Sequence, residues 1–442
     1  GQKVVVATPG AVLPGNFKIK KVKLRGVESN GMICSLAELG IKEQFINPNY
    51  SEGIVVLPED SEVGQPVNEI LNLDDVVLEF DLTPNRADAL SMIGVAYEVA
   101  AILDVEVTLP EPKVEVNGDD IADYISVDVE DDSLCPYYGA FVIEDVEIKP
   151  APFWMQNYLL AAGIRPINNV VDITNYVLLE YGQPLHAFDY DLLGTKEILV
   201  RRAKEGEQIV TLDDQTRTLS KDHLLITNGE KGIAMAGVMG GKNTEVNDET
   251  KTILLEAALF NPFIVRKAVN QTGLRSDASN RFEKGVDPNR VREAGLRACE
   301  LLIQYANGKL VEGIAEFNQL DYDEAKINVN ATEVNKRLGT EITVEEMAEI
   351  FRKLHFDYTL DGEDFIVTIP SRRGDIAIFE DMLEEIARIY GYDHLPYTLP
   401  QNASKPGELT KEQKLKRQIK NYMQSVGMSE AITYSLTKKS EA

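Results

Sequence analysis

The chain has 442 residues, 44% of them hydrophobic and 26% charged. That makes a globular protein with room for about three domains and several buried cores. Forty-five basic against seventy-two acidic residues give a net charge of -27, a field that repels polyanions unless a local basic patch or a basic partner intervenes. No apolar run approaches the roughly 20 residues of a membrane helix, there is no signal-peptide pattern, and Cys34, Cys135 and Cys299 are too few and too scattered for a disulfide framework or a zinc site.

The first fifty or so residues read as short strands punctuated by Gly and Pro: KVVVAT, then AVLPGNFKIKKVKLRGVESNGMICS. The pattern opens in mid-strand at residue 1, as if the front of a small barrel were absent. Lys18, Lys20, Lys21, Lys23 and Arg25 alternate with apolar residues and shift register at Lys20-Lys21, which predicts a bulged strand with one cationic face. Such a strand is either a solvated edge guarded against aggregation or a contact for RNA.

An apolar helix is predicted over Ala87–Leu103, introduced by LTPNRAD, and a polar acidic stretch over Pro110–Asp132 marks a linker or domain edge. From Tyr137 to Glu316 strands and helices alternate. Helices are expected over Phe153–Ala162, closed by Gly163, and Val170–Tyr181, closed by Gly182. A hairpin is expected from Leu224–Thr227 and Ile233–Met239 around NGEKG. Asn261-Pro262 and Asp287-Pro288 read as matched helix starts, an N-cap followed by Pro.

A smaller unit spans Lys326–Pro396. Thr343 and Glu346 form a capping box for a helix to Leu354, Asp361-Gly362 turns a hairpin, and a long helix covers Ile378–Tyr390. After Pro400 come a polar linker, a basic amphipathic helix (KEQKLKRQIKNYMQSVG) and a strand beginning at AITYSLT. Both ends of the chain read as cut from something longer.

Familiar catalytic signatures are missing: no G-x-S-x-G elbow, no H-E-x-x-H and no Cys paired with a nearby His. AGVMGGKN is not a P-loop, because Ala236 and Asn243 stand where Gly and Ser or Thr are needed. Two constellations remain.

The first begins in RPINNVVDITNYVLLEYGQPLHAFD (Arg165–Asp189), which crowds three Asn, two Asp and a Thr around a short apolar run and presents His186 just past a helix end. It joins Thr174, Asn175 and His186 to the run AGVMGG (Ala236–Gly241), to Glu256 in TILLEAALF, and to SDASNRFEKGVD (Ser276–Asp287). Gly and Ala let a ligand approach the backbone. A carboxylate inside an apolar strand needs a partner or a ligand. His186 and Glu256 are therefore either satisfied core residues or groups that hold a water or a phenolic hydroxyl.

The second is acidic. Asp375, Asp381, Glu384 and Glu385 lie in RRGDIAIFEDMLEEIARIYGY, the last three at helical spacing on one face. They could bind Mg²⁺, form a solvated face, or be neutralised by Arg372 and Arg373 without metal.

GIRPINNVVDITNYVLLEYGQPLHAFD, AGVMGG, DASNRFEKGVDP and SRRGDI...EDMLEEIARIYGY together resemble the β subunits of bacterial phenylalanyl-tRNA synthetases, and FKIKKVKLRGVESNGMICS resembles their tRNA-binding OB-type barrel. The resemblance runs along essentially the whole chain in family order. It lacks the start of the barrel and most of the C-terminal region, so a fragment is expected.

The resemblance implies an α+β multidomain fold. Residues 1–60 would be the C-terminal part of the OB-type domain, 61–115 a B1-like segment, and 116–320 a mixed α/β editing domain of B3/B4 type. A small α+β B5-like domain (321–398) and the start of an inactive catalytic-like domain (399–442) would follow. It further implies a cytoplasmic α2β2 heterotetramer with an α subunit that uses ATP to activate phenylalanine, ATP not being bound by this chain alone, and with tRNA(Phe) as substrate.

The editing site would hydrolyse Tyr-tRNA(Phe). Glu256 falls at the position that recognises the tyrosine hydroxyl, and Thr174, His186, Gly237, Ser276 and Ala278 at the other pocket positions. No nucleophile is assigned. Lys18, Lys20, Lys21, Lys23 and Arg25 would touch tRNA. Asp375, Asp381, Glu384 and Glu385 match a magnesium site shared with α. The alternatives are a non-catalytic tRNA-binding and assembly module with a vestigial pocket and, more remotely, a metal-dependent nuclease, which lacks an adjacent base or Lys.

Overall fold

In the computed structural model the described residues are 1–46, 53–320, 324–397 and 407–441. The polar linker expected after Pro400 lies outside them in its first part, 401–406. Two units separate, Gly1–Leu395 and Pro396–Ala442.

The N-terminal strands are short and pair two by two: Lys3–Val4 with Val56–Leu57, Val6–Ala7 with Met32–Ile33, Val12–Leu13 with Phe17–Lys18, and Val22–Leu24 with Val27–Ser29. Val5, Ala7, Ile19, Cys34 and Val55 form their small core. The expected irregularity at Lys20-Lys21 is present, since strand ends at Lys18 and resumes at Val22. The single cationic face is not, because Val22 and Leu24 are exposed along with Lys18, Lys20, Lys21, Lys23 and Arg25.

The helix expected over Ala87–Leu103 is broken. A 3-10 turn covers Ala87–Leu90, Ser91 is extended, and its hydroxyl caps the α-helix Met92–Leu103 (α1) by accepting from the Gly94 amide.

Next come strands Val116–Asp120 (β1), Ser126–Val129 (β2) and Tyr137–Glu144 (β3), and helices Phe153–Ala161 (α2) and Asn169–Tyr181 (α3). Gly182 closes α3 in the left-handed conformation (φ 75°), where a Cβ would be strained. Leu185–Asp189 (β4), Glu197–Arg202 (β5), Leu224–Thr227 (β6), Gly232–Met235 (β7), Met239–Gly240 (β8) and Ile253–Leu259 (β9) follow. Then come Pro262–Thr272 (α4), Asp277–Phe282 (α5), Val291–Ala306 (α6), Lys309–Glu312 (β10) and Ala315–Asn318 (β11).

The order β4-β9-β3-β10-β1, with β11 also on β3, makes a six-stranded sheet, and β2-β5-β6-β7-β8 a five-stranded one. Alternation along β3 and β9 sorts the core. Tyr138, Ala140, Val142 and Leu254 pack toward the second sheet and α4, whereas Phe141, Ile143, Leu255 and Ala257 pack against α2, α3 and α6. Being apolar on both faces, β9 needs only one exception, Glu256.

Two expectations here are corrected. The strand read over Ile233–Met239 ends at Met235, because Gly237 takes a left-handed φ of 69° and turns the chain into β8. Asp287-Pro288 starts no helix. The Asp287 carboxylate makes the same local bond as Asn261, accepting from the amide two residues on (Asn289), but it also accepts from Ser371 and pairs with Arg290, and α6 begins only at Val291. Asn261-Pro262 does start α4, the Asn261 side chain accepting from the Phe263 amide.

Lys326–Asn330, Asp357–Asp361 and Asp364–Thr368 form a three-stranded antiparallel sheet around the turn at Gly362 (φ 63°). Helices Ala331–Leu338 (α7), Val344–Lys353 (α8) and Phe379–Tyr390 (α9) share its core. The capping box of Thr343 and Glu346 is formed. Beyond Pro396, Lys411–Ser425 (α10) is helical, capped by Thr410. The strand expected at Ala431–Thr437 does not form among the described residues, and Ile432, Tyr434 and Leu436 stay exposed with no neighbouring strand to pair with. No helix among the described residues is long and apolar enough to cross a membrane.

Candidate functional site

The polar residues that crowd Arg165–Asp189 prove largely structural. Asn168 caps α3 by accepting from the Val171 amide. Asn169 ties the helix start to the Lys149 amide and to the carbonyls of Glu147 and Tyr305. Asp172 accepts from the Ile167 amide, and burial pushes its carboxyl up to about 7. Asp189 caps the next short helix and accepts from Thr250. The unusual composition thus builds a rigid wall. Thr174, Asn175 and His186 are among the residues of this wall that line a cavity.

That cavity has a volume of about 510 Å³, and Thr174, His186, Gly237, Glu256, Ser276 and Ala278 all line it. His186 lies just past the end of α3, as expected, on the strand β4. Antiparallel pairing sets it directly opposite Glu256, so both side chains leave the same face of the sheet. The other neighbour of Glu256 is Ala140 on β3, and Tyr138, two residues earlier on the same face, reaches across to it. The Tyr138 hydroxyl donates to Glu256 Oε2 at 2.9 Å.

Electrostatics follow from burial. Glu256 is 6% exposed. Loss of hydration pushes its carboxyl up to about 8, only partly opposed by the Tyr138 hydrogen bond. Burial pushes the His186 imidazole down to about 4. Near neutral pH both are therefore uncharged, and this wall offers hydrogen bonds without a formal charge. The His186 ring stands edge-on to Phe188, centroids 4.5 Å apart. Gly240 lies flat against it, where an added Cβ would run into Cε1 and Nε2 of His186.

Thr174 donates its hydroxyl to the Val171 carbonyl at 2.8 Å, so it shapes the cavity more than it offers a donor. Gly237 needs its positive φ, and a Cβ there would meet Val265 at 2.9 Å. Ser276 caps α5, accepting from the Ser279 amide, and donates to the Val238 carbonyl at 2.7 Å, which ties α5 to the glycine-rich turn. Ala278 follows in the first turn of α5.

Tyr138 and Gly240 are the residues that sequence reasoning did not single out for this wall. Gly240 lay inside the quoted AGVMGG run. Tyr138 gave no signal, because its pairing depends on a register between strands 118 residues apart.

The acidic constellation is not brought together as a metal site. Arg373, 3% exposed, donates to both Glu385 oxygens at 2.6 and 3.0 Å and to both Asp375 oxygens at 2.9 and 2.8 Å. Asp381 accepts from the Ala377 and Ile378 amides as the cap of α9, and Glu384 is exposed. Among the described residues no three His, Cys, Asp or Glu side chains converge to hold a metal. A buried guanidinium already supplies the charge that Mg²⁺ would bring, so these donors do not fit the ion in this chain. The reading that Arg373 neutralises the cluster is the one the geometry matches.

Lys18, Lys20, Lys21, Lys23 and Arg25 are all exposed, Lys18 and Lys23 on the N-terminal ladders, Lys20 and Lys21 between them and Arg25 in a turn. Lys21 pairs with Glu28, which also stands opposite Lys23. The three cysteines are free and buried.

Four family models match in chain order. These are a putative tRNA binding domain over residues 1–66, a B3/4 domain over 134–307, a tRNA synthetase B5 domain over 327–392, and the phenylalanyl tRNA synthetase beta chain CLM domain over 395–442. The chain is 59% identical over 442 residues to the phenylalanine–tRNA ligase beta subunit of Oceanobacillus iheyensis, covering 99% of this chain and 54% of that protein. It is 56% identical to that of Bacillus subtilis and 55% to that of Geobacillus kaustophilus, each match covering 100% of this chain and 55% of the relative. It therefore spans about half the length of the curated relatives it matches. The chain belongs to the phenylalanine–tRNA ligase β-subunit family.

Proposed function

We propose that the chain is the tRNA-binding and proofreading part of a phenylalanine–tRNA ligase β subunit, acting in the cytoplasm within an α2β2 enzyme whose α subunits use ATP to activate phenylalanine. Its cavity hydrolyses tyrosine mistakenly esterified to tRNA(Phe). The observation that carries this reading is the convergence of Thr174, His186, Gly237, Glu256, Ser276 and Ala278 on one cavity with a buried carboxyl in its wall.

The chemistry is coherent with that wall. Tyrosine exceeds phenylalanine by one hydroxyl, and an apolar synthetic pocket rejects such an addition only by about a hundredfold. A second pocket with a buried polar partner makes the opposite choice, because filling it with phenylalanine leaves that partner unpaired. Glu256 is the partner. Water then adds to the ester carbonyl, the bond to the ribose oxygen breaks, and free tyrosine and tRNA leave.

Among the described residues no protein nucleophile lines the cavity in a usable pairing. The Ser276 hydroxyl is committed to the Val238 carbonyl and the Ser279 amide. A positioned water, aided by the substrate ribose, fits better than a covalent step. His186, neutral at working pH, positions and does not act as the sole base. The exposed basic residues Lys18, Lys20, Lys21, Lys23 and Arg25 give the tRNA a local contact on an otherwise acidic chain. The N-terminal ladders are read as part of an OB-type barrel.

One observation favours a second reading. Glu256 already has a hydrogen-bond partner in Tyr138, as a satisfied core carboxyl would, and the chain would then be a binding and assembly module with a vestigial pocket. The purified chain, and the same chain assembled with α, are incubated with Tyr-tRNA(Phe) and Phe-tRNA(Phe), and release of each amino acid is followed. Release of tyrosine in preference to phenylalanine, impaired by Glu256→Ala, is expected. No release from either substrate in the assembled enzyme establishes the vestigial pocket. Unchanged tyrosine release by Glu256→Ala takes Glu256 out of the mechanism.

A further inference from the structure

Glu256 depends for its orientation on a residue outside the cavity. Its two direct neighbours across the sheet are Ala140, which has no donor, and His186, which makes no hydrogen bond to it among the described residues. The hydrogen bond that reaches the carboxyl comes from Tyr138, at 2.9 Å to Oε2. Tyr138 is 0% exposed, is packed in the core between the two sheets, and is not among the residues lining the cavity. Its hydroxyl is thus held in place by the core, and a ligand in the cavity does not touch it. The short side chain of Ala140 leaves the diagonal path open. With Oε2 engaged behind the wall, Oε1 is the oxygen left for the cavity, and it is neither enclosed nor otherwise bonded among the described residues.

We propose that Tyr138 is a specificity-determining positioning residue, whose hydroxyl anchors Oε2 of Glu256 so that Oε1 is presented to the para-hydroxyl of a tyrosyl ligand. This rests on reading the cavity as the proofreading site. Burial pushes the Tyr138 phenol well above its usual range, so it remains a donor at any working pH. A carboxyl with one oxygen anchored has lost its rotational freedom before the ligand arrives, and preorganisation of that kind sharpens discrimination more than overall binding.

The test uses the full chain and two non-hydrolysable probes, adenosine bearing tyrosine or phenylalanine in amide linkage at the ribose, with affinities measured by calorimetry. Tyr138→Phe keeps the ring and removes only the donor. It should weaken the tyrosyl probe by roughly tenfold, the effect of about one hydrogen bond, and leave the phenylalanyl probe unchanged. In hydrolysis of Tyr-tRNA(Phe) the loss should fall on KM more than on kcat. In a Glu256→Gln background Tyr138→Phe should add much less, since the two act through one contact.

Equal weakening of both probes overturns the proposal in favour of a packing role. Tyrosyl affinity that survives Tyr138→Phe but falls in Glu256→Gln overturns it too, while leaving the proofreading reading intact. A wild-type chain that does not prefer the tyrosyl probe defeats both. Should Tyr138→Phe fail to fold, fluorotyrosine at position 138, a stronger donor on the same ring, should raise the preference, and an unchanged preference counts against the role.

Discussion

Burial acts on Glu256 and His186 in opposite directions, and the outcome is testable through pH. The Glu256 carboxyl rises from its usual 4.5 to about 8 when folded. The folded chain therefore holds a proton that the unfolded chain releases. Its contribution to stability is complete below about 4.5, declines as pH rises, and is gone above about 8. Replacing Glu256 with Gln removes that titration. The stability of wild type relative to Glu256→Gln, followed by urea unfolding with the single Trp154 as reporter, should fall steadily between those limits. A flat difference would mean that Glu256 ionises freely in the folded chain. A second residue-scale prediction concerns Gly240. A methyl there must displace the His186 ring, so Gly240→Ala should cost about 1–3 kcal/mol of stability through overpacking and reduce tyrosine release, whereas Gly194→Ala, at an open position with positive φ, tests backbone strain away from the cavity and should leave release unchanged.

The glycine-rich turn between β7 and β8 is an element with no core of its own, and α5 holds it. Ser276 does both jobs, capping α5 and donating to the Val238 carbonyl. Ser276→Ala should therefore lose a cap worth about 1 kcal/mol and the tether besides. Faster amide exchange at 236–240 is the observable expected of a loosened turn, and unchanged exchange there would assign Ser276 to capping alone.

Elements of this kind divide by how far apart their partners stand in sequence. The Thr343–Glu346 box, the Gly362 turn and the Gly182 terminator were legible because each is decided within four or five residues. Asp287-Pro288 has the local form of a helix start, down to the Asn289 amide on the Asp287 carboxylate, and is not one; that carboxylate is also tied to Ser371, 84 residues away, a partner no local pattern reveals. The bracketing of Glu256 by Ala140 and His186 depends on strand register, which no local pattern encodes. Local chemistry gathered the segments of the pocket, the resemblance singled out Gly237, Ser276 and Ala278 within them and gave Glu256 its role, and neither pointed to Tyr138.

Across the whole of the first unit, one ion-pair chain links parts of the molecule that are distant in sequence. Arg86 pairs with Glu98 on α1, Glu98 with Arg388 on α9, Arg388 with Glu385, and Glu385 through Arg373 with Asp375. It fastens the segment before the central sheets to the small C-terminal sheet unit, and it uses two of the four carboxylates that the sequence offered to magnesium. Burial alone would raise the Glu385 carboxyl, but hydrogen bonds from Arg388 and Arg373 hold it down at about 2. Its contribution is therefore complete above the usual 4.5 and is lost as pH falls through about 2.

Arg373 is the member that cannot be spared, since its side chain is 3% exposed and faces two carboxylates that are 9% and 4% exposed. Arg373→Met keeps much of the volume, strands the Asp375 carboxylate and leaves Glu385 with Arg388 alone, which should destabilise the first unit by about 3–5 kcal/mol near neutral pH. That deficit should shrink as acid protonates Glu385. EDTA, by contrast, should leave the wild-type unfolding temperature of the chain unchanged, because Arg373 already compensates the carboxylates. If EDTA lowers that temperature and Arg373→Met does not, the charge is compensated by a bound cation and the guanidinium network is incidental.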